Sequence, residues 1–204
     1  MTDLDDFLPY IMPYAPGCSE PMARQALITA AKEFCQRTRL WRSEDSFALS
    51  QDCNIVCAPD GANLYEIEYA SLDGRALEPI GYAELNREHP EWRTTEGLGK
   101  WISQVEHDSV VVAPAVSTGT LRLNLILAPA DDAEQLPDFL AKHYRQIISW
   151  GALREILLVP NQSFTNADGA ALYGARFEQK VDSLFDRNIK GQQRAPARTR
   201  AQFM

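Results

Sequence analysis

Long apolar runs are missing from this chain. The longest, such as residues 156–160, fall far short of the roughly 20 residues that a membrane-spanning helix needs, so no bilayer crossing is expected. A basic leader is missing too. The opening Met1-Thr-Asp-Leu-Asp-Asp is acidic, which points away from a secretory signal and toward a cytoplasmic origin. Cysteine and histidine are sparse. Cys18, Cys35, Cys53 and Cys57 offer one loose pair, Cys53-x3-Cys57, and His89, His107 and His143 are scattered. Zinc sites need tighter pairs with close partners, so the thiols are expected to be free and at least half-buried, with no metal or cofactor. No nucleophile elbow, phosphate-binding glycine loop, zincin helix or kinase signature occurs. Gly97-Leu-Gly99 is an isolated glycine pair, and Asp131, Asp132 and Glu134 lie near a helix start, where acids suit the dipole. The chain does not read as an enzyme.

What is present is ordinary globular material. Of 204 residues, 45% are hydrophobic and 24% charged, enough for one sizeable core and a second lobe. The formal net charge of −8 disfavours a grip on a phosphate backbone. The hydrophobic period changes twice along the chain. Over residues 19–41 it is helical: Ala23, Leu27, Ala30, Ala31, Phe34, Thr38 and Trp41 recur at steps of three and four, after Ser19 as N-cap and with Pro21 in the first turn. Ahead of this helix, residues 1–18 carry three prolines within 7–18 and read as an extended arm, or as a short helical turn at 2–8.

From residue 47 the pattern alternates. Residues 47–58 read as one strand, with Leu49, Cys53, Ile55 and Cys57 on one face, and residues 64–69 as a second. Asp73-Gly74 marks a hairpin, and Pro79 an edge strand over 77–80. A short helix over 82–89 precedes Pro90. Strands follow around Trp101 and Val105, over 110–113 and over 121–127, where Leu121, Leu123, Leu125 and Leu127 share a face opposite Arg122 and Asn124. Helical period returns at 137–158 and 166–188. Gly151, inside the first of these helices, suits a close helix contact or a bend.

The expected fold is therefore α+β. A helical bundle core uses residues 1–41 and 132–188, with helices at about 19–41, 137–158 and 166–188. An antiparallel β lobe, 42–131, is inserted into it, and an extended basic tail, 189–204, follows. The end of the chain is where the charge reverses. Arg187, Lys190, Arg194, Arg198 and Arg200 give five positive charges without an acid, and Phe203-Met204 follow as an apolar anchor. Eighteen residues from Arg187 at about 3.3 Å each would reach roughly 55–60 Å, far enough to lie on a partner. The tail has three readings, a solvated terminus, a docking arm for an acidic protein surface and contact with nucleic acid, and its apolar end shifts the weight toward docking.

Several stretches carry a resemblance. Phe7-Leu-Pro-Tyr-Ile-Met-Pro-Tyr-Ala-Pro-Gly-Cys18, followed by Pro21 and Ala31-Lys-Glu-Phe-Cys-Gln-Arg-Thr-Arg-Leu-Trp41, resembles the head-to-tail adaptor (head-completion, or connector) proteins of tailed bacteriophages. So do Gly151-Ala-Leu, the segment after Pro160 and the last helix through Phe177. The resemblance implies a virion protein that forms a ring of identical subunits, commonly twelve, beneath the portal protein of the head. It implies neighbouring adaptor subunits and a tail tube or nozzle protein as further partners, and a C-terminus that reaches along the portal. DNA would pass through the ring without sequence-specific binding. One branch of that family is linked to cell-wall hydrolysis, so a peptidoglycan hydrolase is the first alternative. A small nucleic-acid-binding module is the second.

Overall fold

The computed structural model describes residues 1–49 and 54–190, with the backbone alone at 187, 189 and 190. In chain order the elements are β1 (Thr2–Asp3), a 3-10 helix (Leu4–Tyr10), α1 (Glu20–Thr38), β2 (Arg42–Leu49), β3 (Asn54–Val56), β4 (Ala62–Leu72) and β5 (Arg75–Ala76). Then come β6 (Glu78–Pro79), α2 (Tyr82–Glu88), β7 (Trp101–Gln104), β8 (Ser109–Ala113), β9 (Gly119–Pro129) and β10 (Gln135–Leu136). The chain closes with α3 (Asp138–His143), α4 (Arg145–Ile156) and α5 (Ala167–Lys190). Among the described residues no helix is long and apolar enough to cross a membrane.

The strands form two four-stranded sheets, ordered β2-β9-β4-β5 and β3-β8-β7-β6, and one small pair, β1-β10. All pairings are antiparallel except β6 with β7. Residues 47–58 are not one strand: β2 and β3 belong to different sheets, and Cys53 lies outside the described residues. β4 pairs with β9 through two register shifts, between Leu64 and Glu66 and between Ile67 and Tyr69. Each shift inserts a residue, which breaks the strict alternation and leaves Tyr65 and Tyr69 outside while Leu64, Ala70 and Leu72 stay in. The hairpin at Asp73-Gly74 has φ of 47° and 81° at its two central residues, as the twist of a tight hairpin demands.

The helical bundle core expected from the sequence is not what the chain builds. A single hydrophobic cluster runs through helices and both sheets, joining Leu27 and Phe34 of α1, Ile148 of α4 and Phe177 of α5 to Leu121, Leu123 and Leu125 of β9 and Val112 of β8. The reason is α1, which packs against α4 and α5 and also against β9. β9 is thus the centre of the molecule. Its odd positions 121–127 are buried in the shared core, and on the opposite face Ile126 and Ala128 are buried as well, so the second half of the strand is covered from both sides. Hydrophobic period identifies α1's buried face but not that a sheet shares it.

A smaller cluster lies on the other face of the β3-β8-β7-β6 sheet. Val111 and Ala113 meet Leu85 of α2 and Trp92 there, while the alternate Val110 and Val112 point into the main core. The helix expected over 137–158 is broken at Tyr144 (φ −127°, ψ 4°) into α3 and α4, and the Tyr144 ring packs 5.2 Å from that of Phe34.

Candidate interaction surfaces

Three helices meet around Gly151. A Cβ built there would sit 2.9 Å from the Ala30 Cβ and 2.9 Å from Cε2 of Phe177, so only glycine lets α4 approach α1 and α5 this closely. Above this contact the helices are tied by charge. Arg154 of α4 donates to Glu33 of α1 at 2.6 Å and to Glu178 of α5 at 3.2 Å. Arg37 of α1 donates to Glu33 at 3.0 Å, Glu178 at 2.5 Å and Asp182 at 2.8 Å. Burial pushes the Glu33 carboxyl up, but hydrogen bonds from Arg154 and Arg37 outweigh it and hold Glu33 below its ordinary 4.5.

That shift has a sign for stability. A depressed carboxylate contributes stability that is complete above its ordinary value and is lost as pH falls through the folded-state value. The urea midpoint should therefore fall as pH is lowered below about 4.5, and Glu33→Gln should flatten that fall while weakening the protein at neutral pH. A Glu33→Gln profile parallel to the wild-type one would remove Glu33 as a cause.

The far end of α5 is held as firmly. Nδ2 of Asn188 donates to the backbone carbonyls of Thr38 at 2.7 Å and Arg39 at 3.1 Å, and Arg42 donates to its Oδ1 at 2.8 Å. These bonds satisfy carbonyls that the end of α1 leaves open, where Arg39 turns left-handed (φ 53°). α5 is thus a stem locked along its length, and the sequence-predicted site begins where it stops. Arg187 and Lys190 are in the last turn of α5. Arg194, Arg198, Arg200, Phe203 and Met204 lie outside the described residues.

A second surface lies on the N-terminal arm, which forms a 3-10 helix over Leu4–Tyr10 in place of a fully extended segment. The N-terminal arm packs Leu4, Phe7, Ile11 and Ala15 inward, which leaves Tyr10 and Tyr14 on the outside. Thr2 ties its start to Asp138 at 2.7 Å, and Arg24 of α1 holds Asp5 at 2.8 Å. Tyr14 meets Tyr173 of α5 edge-on at 5.8 Å, and the Arg145 guanidinium lies 5.5 Å from the ring centres of both Phe7 and Tyr10. The partners of Arg145 are more than a hundred residues away in sequence, so no local pattern could have found them.

A third surface surrounds α2. His89 stacks on Trp101 at 4.1 Å, Lys100 lies 4.6 Å over the same ring, and Arg93 lies 4.7 Å over Trp92. His89, Trp92, Trp101 and Pro114 line a shallow apolar recess. On another side, Asp60, Glu106, Asp108 and Asp132 border an acidic cleft with His107. Among the described residues no group of three or more His, Cys, Asp or Glu side chains has the geometry to hold a metal ion. Cys18, Cys35 and Cys57 are free and buried, and burial raises all three thiols, that of Cys57 to about 11. In comparisons with protein-family models and with curated proteins, none matches this chain.

Proposed function

We propose that this chain is a structural adaptor at the head-to-tail junction of a tailed bacteriophage, one subunit of a ring that sits beneath the portal and joins it to the tail. The observation that supports this reading best is the stem. α5 is fixed to α1 and α4 by the Glu33–Arg37–Arg154–Glu178 network and by Asn188, and it leads directly into the basic end of a chain whose net charge is −8. A rigid support under a segment of opposite charge is what a docking arm requires. The resemblance of the arm, the Gly151-Ala-Leu turn of helix and the last helix to the adaptor family supplies the partner.

In this role the tail of each copy lies on the portal. Exposed ion pairs contribute only about 0–1 kcal/mol each, so the five positive charges steer the approach more than they hold it. Burial of Phe203 and Met204, at about 1.5–3 kcal/mol for a fully enclosed side chain, supplies the hold, repeated around a ring of commonly twelve copies. The helices face the portal and neighbouring subunits, the sheets face the next tail component, and DNA passes through without sequence readout.

The test is a truncation at Asn188, which keeps the cap on α1. The shortened protein should retain the wild-type helical signal and melting behaviour yet fail to co-sediment with portal rings. Wild-type portal binding by the truncated chain would overturn the role given to the tail.

A further inference from the structure

Arg24, Arg37, Arg39, Arg42 and Arg154 each hold a carboxylate within 3.0 Å. Among the described residues of the helical layer, Arg145 of α4 and the exposed Arg176 of α5 hold none, and of these two Arg145 alone has a buried Nε without any hydrogen-bond partner. A guanidinium nitrogen left so is costly, because the group has lost water and gained no acceptor. Two rings fix the side chain in place, Phe7 fully buried and Tyr10 42% exposed. The group is therefore pre-ordered and half-buried, beside the partly exposed Tyr10 ring. Planar guanidinium held by aromatic stacking is the form in which arginine recognises carboxylates, and Arg and Tyr are among the residues most enriched at the centres of protein interfaces.

We propose that Arg145 and Tyr10 form the receptor for a carboxylate side chain of a second copy of this chain; the proposal rests on the ring reading and names a contact within it. The charge balance of the chain supports that occupant. With 28 acidic against 20 basic residues, a neighbouring copy presents carboxylates in excess, and this is an arginine left without one. Pairing with an acid on a different face of the neighbour is a heterologous contact, the kind that propagates from copy to copy and closes into a ring when the rotation allows. The incoming carboxylate accepts from the terminal nitrogens of the guanidinium, since Nε is buried, and Tyr10 shields the pair from water, where an ion pair is worth most.

Sedimentation equilibrium of the full chain tests this, with the wild type, R145Q and R145K measured over a salt series. Wild-type self-association should weaken as salt is added. R145Q should associate about tenfold more weakly and show a shallower salt dependence, and R145K should fall between them, since it keeps the charge but loses the planar fork. Thermal melts of the same samples separate this from a loosened arm, because a purely structural clamp would lower the melting temperature without changing the salt slope. Wild-type association that is insensitive to salt, or that R145Q leaves intact, overturns the Arg145 contact and leaves the ring reading standing. A wild type that stays monomeric alone also overturns the contact, and one that further fails to sit on portal rings removes the reading beneath it.

Discussion

Phe177→Ala should lose about 3–5 kcal/mol of folding stability, the full cost of emptying a large aromatic site in a packed core. The ring is fully buried where three helices meet, with its edge against Gly151 of α4 and the Arg154 guanidinium 5.2 Å from its centre. Truncation removes the filling of that junction, and the helix backbones around it, tied by Arg37 and Arg154, are poorly placed to close the gap. For a chain of this size each kcal/mol is worth about 2–4 °C, so the melting temperature should drop by roughly 6–20 °C. Equilibrium urea unfolding gives the free energy directly. A loss below about 1 kcal/mol would mean that the helices collapse onto the cavity and that their junction is soft.

Gly151→Val should be the most damaging change that adds atoms. Even the Cβ of alanine would lie 2.9 Å from the Ala30 Cβ and from Phe177 Cε2, and the Ala30 methyl is fixed to the backbone of α1. Alanine in place of glycine gains about 1 kcal/mol of helix propensity, and overpacking costs about 1–3 kcal/mol, so Gly151→Ala should be destabilising by a small margin. Valine adds two more methyls at the same point and loses part of the propensity gain, so it should cost the full overpacking range or more. Gly174 of α5 is the control. Its Cβ would meet only the Cδ and Cγ of Arg154 at 3.2 and 3.3 Å, a flexible stem, so Gly174→Ala should be neutral or stabilising. If Gly151→Ala proved more stable than wild type by the full propensity gain, the close approach of α4 would be refuted.

The same junction shows what a sequence reveals and what it withholds. The stripe Ala23, Leu27, Ala30, Ala31, Phe34 and Thr38 was legible, and all six residues are buried. Hydrophobic period reports that a face is covered, not what covers it. For that reason the helices and β9 were expected in separate lobes when they share a core. The break at Tyr144 was illegible because no glycine or proline marks it. The split of residues 47–58 between two sheets was illegible because alternation continues on both sides of it. Bulges in β4 hid which tyrosines face out. The tail is a run of like charge in the sequence, and residues 191–204 of it lie outside the described residues. The Arg145 surface was illegible, because what distinguishes Arg145 is a buried nitrogen without an acceptor in three dimensions, and no spacing rule encodes that.

The place of Asn188 has a mechanical consequence. Its amide joins the last turns of α5 to the carbonyls that end α1, and Arg42 joins the same side chain to the first residue of β2, the strand beside β9. A pull on the end of α5 is therefore not borne by that helix alone. It loads several short hydrogen bonds in parallel, and through Arg42 it passes into the eight-residue β2–β9 ladder, whose bonds lie across the strands and yield together in shear. Tension applied there would thus reach the strand beside β9, and the thin end of the stem would act as a tendon inserted near the centre of the molecule.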